Sequence, residues 1–154
     1  MRMTRRRTLG RKNNVAVQYA IPRSGVPAPA ALRRWARAAA PSLALTVRIV
    51  GSREARALNR RYRRRDYATN VLSFPYGASG DVVLCHPVIA REAREQGKSV
   101  RAHYAHLVVH GALHLRGYQH DDNASASRME SAEVRILRRL RFGNPYTVES
   151  GGTA

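Results

Sequence analysis

The stretch that most limits what this chain can become is HGALHLRGYQH, His110 to His120, with histidines at i, i+4 and i+10 and a glycine between the second and third. Side chains four residues apart on a helix stack one turn over another, so His110 and His114 can aim imidazole nitrogens at one point. Gly117 tolerates the left-handed backbone that closes many helices. The spacing therefore predicts that the helix ends there and that the chain turns back, bringing His120 toward the other two. Three neutral nitrogen donors around one centre are the arrangement of a catalytic zinc, with a fourth position left for water.

The same frame, His-x-x-x-His-x-x-Gly-x-x-His, carries the metal of the metzincin proteases, where the residue after the first histidine is a glutamate acting as general base. Here that residue is Gly111. The cage is kept, but the group that would take a proton from water is missing, which argues against peptide hydrolysis. Structural zinc sites usually close with thiolates, and no cysteine lies near in sequence, so a catalytic ion is the expectation. His106, His110 and His114 also form an i, i+4, i+8 series. Three ligands on one straight helix would spread over about 11 Å of rise, too far for one ion, so His120 is the better third ligand. His106 is left to support the site, to contact substrate or simply to pack.

At 154 residues the chain fits one domain with a real core. No apolar run approaches the roughly 20 residues of a membrane span, and no secretory segment opens the sequence, so a cytoplasmic protein with no membrane partner is expected. A lone cysteine, Cys85, agrees with a reducing compartment. The net charge of +18, from 28 basic against 10 acidic residues, draws polyanions such as RNA or DNA, although a GC-rich coding sequence also inflates arginine.

Along the chain, residues 1–13 are a basic arm with almost nothing to bury, expected to be disordered. NVAVQYAI from Asn14 alternates as a strand, Pro22 to Pro29 is a loop, and AALRRWARAAA is a first helix. Leu43, Leu45, Val47 and Ile49 share one face of a half-buried strand. Arg53 to Arg65 is a second helix with Ala55, Leu58, Asn59 and Tyr62 inward; its arginines are a solvated face or an RNA-facing one. VLSF and DVVLC are two strands joined around Gly77 to Gly80. Helices follow at 87–97, Arg101 to Arg116, and from a Ser125 or Ser127 cap through Arg141, before a flexible tail at 148–154. This order predicts a single α+β domain over residues 14–147: a mixed sheet of about four strands packed against several helices, the histidine helix central. The polar Thr69, Asn70 and Ser73 are ordinary turn and strand-edge hydrogen bonders, or they line the site.

The sequence resembles the YbeY family of bacterial ribosomal RNA maturation factors, metal-dependent endoribonucleases of the cytoplasm. The resemblance rests on HGALHLRGYQH, on DYATNVLSFP from Asp66 to Pro75, on Gly80-Asp81, on Asn59 to Arg63, and on Asn144-Pro145-Tyr146. It implies one zinc ion at His110, His114 and His120 and a functional arginine at Arg63. It also implies action on single-stranded RNA in 16S ribosomal RNA 3′ end maturation and ribosome quality control, with the small ribosomal subunit and its assembly factors as partners. Gln119 departs from the family, which usually has aspartate before the last histidine: glutamine can still orient a neighbour by hydrogen bonding but brings no charge. Arg63 would stabilise charge on a phosphorane-like transition state. Asp121 and Asp122 are expected to be solvated. The alternative is a non-catalytic RNA-binding ribosome assembly factor with a structural zinc.

Overall fold

A computed structural model describes residues 14–147; the basic arm at 1–13 and the tail at 148–154 lie outside the described residues. The elements are β1 (Val15–Tyr19), α1 (Pro29–Ala39), β2 (Ala44–Val50), α2 (Ser52–Arg63), β3 (Val71–Tyr76), β4 (Ser79–Cys85), α3 (His86–Gln96), α4 (Val100–Leu115) and α5 (Asn123–Arg139). They form the expected single α+β domain with a four-stranded mixed sheet in the order β1-β2-β4-β3. The first three strands run parallel and β3 pairs antiparallel to β4 at one edge.

The alternation of side chains along each strand sets up two layers of core. On one face Leu45, Val47, Ile49, Val82 and Leu84 meet Leu32 and Trp35 of α1, the apolar run of α4 and Met129, Ile136 and Leu137 of α5. On the other, Val50, Leu72, Phe74, Val83 and Cys85 meet Ala55 and Leu58 of α2 and Val88 of α3. Covering both faces leaves β4 buried along its whole length and makes β2 more than half-buried, against the expectation for it. The second face of β2 still carries polar residues, and Arg48 is accommodated there because its guanidinium donates to Glu54 and Gln18.

Helix α4 lies between this sheet and helices α1 and α5, and its apolar residues run around the whole circumference rather than along a stripe. At Gly111 it lies hard against the sheet. A Cβ there would stand 2.8 Å from Val82 Cγ1, 3.1 Å from Ser73 Oγ and 3.3 Å from Val71 Cγ2. The position where a metzincin carries its base is thus pressed against β4 and β3, with no room for any side chain. Gly111→Ala should gain about 1 kcal/mol of helix propensity and lose about 1–3 kcal/mol to overpacking against the fully buried Val82. The expected result is a lower urea midpoint at unchanged m-value; a raised midpoint would show that α4 does not sit this deep.

Several boundaries shift. Pro29 is the first residue of α1 rather than the end of a loop, where its missing N–H is no loss. Helix α2 stops at Arg63 because Arg64 turns left-handed at φ 60°. Gly80 belongs to β4, so the β3–β4 turn is Gly77-Ala78. The cap of α5 is neither Ser125 nor Ser127 but Asp122, whose Oδ1 accepts from the Ser125 N–H at 2.8 Å while Ser125 Oγ accepts from the Asp122 N–H at 3.2 Å. This reciprocal pair holds the Asp122 carboxyl below the usual range and starts a helix that ends at Arg139 rather than Arg141.

Candidate metal centre

The C-terminal end of α4 presents His110 and His114 one turn apart, their ring centroids 4.7 Å from each other. The helix then closes as its glycine requires. Gly117 takes φ 102°, its N–H donates to the His114 carbonyl at 2.9 Å, and the Tyr118 N–H reaches back to Leu113 O at 3.1 Å. This reversal stacks His120 on His110 at 5.8 Å and sets it edge-on to His114 at 4.7 Å. One nitrogen from each of the three rings lies within 4.8 Å of the other two.

Tautomers decide whether such a cluster can hold a cation, because only a ring nitrogen without a proton donates a lone pair. His114 Nδ1 faces the Tyr118 carbonyl oxygen at 2.9 Å, and His110 Nδ1 faces Glu133 Oε2 at 2.5 Å. Both partners only accept, so in these rings the proton sits on Nδ1 and Nε2 carries the lone pair. Burial, followed by the neighbouring His110 and His120 rings, holds His114 below the ordinary histidine range and so in the neutral, ligating form. Three ring nitrogens able to close on one centre fit zinc, which takes nitrogen at about 2.0–2.1 Å.

The triad opens on a cleft of about 380 Å³ whose other wall comes from α2 and β3. Arg63, on the last turn of α2, donates from Nη2 to the Ser73 carbonyl at 2.8 Å, with its guanidinium 5.4 Å from the Phe74 ring centroid. Ser73 Oγ in turn donates to the Gly111 carbonyl at 3.1 Å. Asn70 lines the same cleft, its Nδ2 donating to Glu92 Oε1 at 3.0 Å. The residues of the cleft wall include no carboxylate. Arg56 is drawn away instead, its fork closed on Asp66 at 2.7 and 3.0 Å.

Two of the sequence candidates lie off this wall. Thr69 is half-buried in the segment between α2 and β3 and is not among the cleft-lining residues. His106 sits one turn before His110, its Nε2 2.9 Å from Glu133 Oε1, and borders a separate cavity of about 650 Å³ with Lys98, Phe142 and Tyr146. Gln119 is exposed and faces a shallow depression beside Arg128, away from the cleft.

The residue that sequence reasoning missed is Glu133. Burial pushes its carboxyl up, yet hydrogen bonds from His106, His110 and Tyr146 outweigh that and hold its pKa down at about 2. A signal for it existed. Met129, Ala132, Ile136 and Leu137 form the buried stripe of α5, and Glu133 occupies an i+4 position within that stripe, where an acid is out of place unless it has partners. His106, His110 and Glu133 could also be drawn as a cation site, since their donor atoms lie within 4.8 Å of one another. The hydrogen bonds already made among them fit a support for His110 better than a second cage.

The family model described as "Endoribonuclease YbeY" matches residues 30–141. A protein of that name from Stenotrophomonas maltophilia is 47% identical over 152 aligned positions, covering 88% of this chain and 94% of its own length. Another from Thiobacillus denitrificans is 52% identical over 139 positions, covering 86% and 95%. A solution structure from Thermotoga maritima, 20% identical, superposes with a TM-score of 0.55 over 91% of this chain and 99% of its own, which supports the fold. No helix among the described residues is long and apolar enough to cross a membrane. With a matching model over most of its length and relatives at this identity, the chain belongs to the YbeY family.

Proposed function

We propose that the protein is a zinc-dependent endoribonuclease of the cytoplasm that cuts single-stranded RNA. In this reading it acts in 3′ end maturation of 16S ribosomal RNA and in ribosome quality control, with the small ribosomal subunit and its assembly factors as partners. The observation that carries the reading is the meeting of three imidazoles and one arginine across a cleft whose wall bears no carboxylate. A polyanion enters such a cleft without repulsion, and the chain's net charge of +18 favours its approach. The name of the relatives, Endoribonuclease YbeY, supports RNA as the substrate.

His110, His114 and His120 hold one ion. Zinc on three neutral ligands keeps its double positive charge and supplies Lewis acidity to a phosphodiester oxygen and to water. Arg63 lays forked N–H donors on the phosphate from the opposite wall, already aimed by its bond to Ser73 O. Asn70 and Ser73 support the strand that forms that wall and offer polar atoms to the sugar-phosphate chain. Thr69 and His106 act from behind, Thr69 in the segment leading into β3 and His106 through Glu133.

The test compares zinc-loaded, chelator-stripped and reloaded protein on a labelled single-stranded RNA. Cutting should vanish on stripping and return on reloading. Cleavage that persists without metal overturns the reading. RNA that is bound but never cut, by a domain that zinc merely stabilises against melting, would favour the assembly factor instead.

A further inference from the structure

Glu133 is 0% exposed, and both of its carboxylate oxygens are engaged. Oε2 accepts from His110 Nδ1 at 2.5 Å; Oε1 accepts from His106 Nε2 at 2.9 Å and from the Tyr146 hydroxyl. A buried carboxylate is expensive to desolvate, and a leucine at the same place in the apolar stripe of α5 would pack without that cost. Packing therefore gives no reason for an acid here. The reason lies at the far end of its bonds, on a ring of the metal triad.

We infer that Glu133 is a positioning residue of the metal centre, fixing His110 with its proton on Nδ1 and its lone pair on Nε2 toward the ion, and that Tyr146 and His106 hold the carboxylate in that pose. The inference rests on the zinc reading above. A carboxylate behind a ligating imidazole orients the ring and raises its basicity. The two bonds on Oε1 also keep the carboxylate from swinging round to become a ligand itself. That steers an ion to the three-histidine side of His110 rather than to the His106–His110–Glu133 side, where donors also lie within 4.8 Å of one another. Tyr146 makes the segment after α5 a working part of the centre although it contributes no ligand. At 44% exposure its ring tolerates substitution, so its hydroxyl can be removed without opening the core.

The experiment uses the full chain and measures zinc affinity by competition with a chromogenic chelator, beside the nitrogen NMR signature of the histidine tautomers. Glu133→Gln should weaken zinc binding by about 10- to 100-fold, and Glu133→Leu should in addition let His110 populate both tautomers. Tyr146→Phe should weaken binding by about 2- to 10-fold, the worth of one hydrogen bond, and carries the test should the Glu133 variants fail to fold. Wild-type protein that binds no zinc overturns the metal centre and this inference together. Normal wild-type binding with affinity and tautomer unchanged in the variants overturns the inference alone.

Discussion

Replacing His114 by alanine should strip the protein of zinc and of RNA cleavage together. Two imidazoles would remain, His110 on the helix and His120 beyond the turn, and two nitrogen ligands do not make the closed side of a zinc site. The loss of affinity should exceed the about 10- to 100-fold that a supporting hydrogen bond is worth, leaving essentially no metal after dialysis. The variant should still fold. His114 is only half-buried, and its hydrogen bond to the Tyr118 carbonyl closes a turn that the Gly117 and Tyr118 N–H groups also close. Zinc content by atomic absorption and cleavage on a gel read the two effects separately. Full zinc occupancy in this variant would mean that the ion is held elsewhere.

Arg63→Ala should do the reverse: keep the zinc and lose the rate. Removing one preorganised donor to a developing oxyanion costs about 10²- to 10³-fold in turnover, and that range is expected here with zinc content unchanged. Arg63→Lys should fall between, since it keeps the charge but not the planar fork. The side chain is exposed and anchored at the surface by its bond to Ser73 O, so its removal leaves the core intact. A variant that cuts at the wild-type rate would remove Arg63 from the reaction.

The legible parts of this protein were those in which local chemistry and fold agree. The i, i+4 histidines, the glycine two residues past the end of α4 and the period-two run of β2 each carry their own geometry, and each stands where its spacing put it. The less legible parts depend on what the rest of the chain does. Gly111 is visible as a missing base, but only the depth of α4 against Val82 shows that no side chain fits. Asp122 is exposed, as expected of an acid after a ligand, and its capping role follows only from the helix that begins beside it. Glu133 was overlooked because its partners are 23 and 27 residues back and 13 ahead, and no local pattern joins them. Thr69, Asn70 and Ser73 are alike in sequence as polar residues in an apolar run; Asn70 and Ser73 line the cleft, whereas Thr69, two residues before β3, does not.

Ser73 has a consequence for how such a cleft can fail. Its carbonyl takes the guanidinium of Arg63, and its hydroxyl takes the backbone of the histidine helix, so one residue of an edge strand gauges the gap between the arginine wall and the histidine wall. Edge strands are held by neighbours on one side only and open at a lower free energy than central ones. Fraying of β3 would release both walls in one event, so the cleft is expected to lose its shape on heating before the core behind it melts.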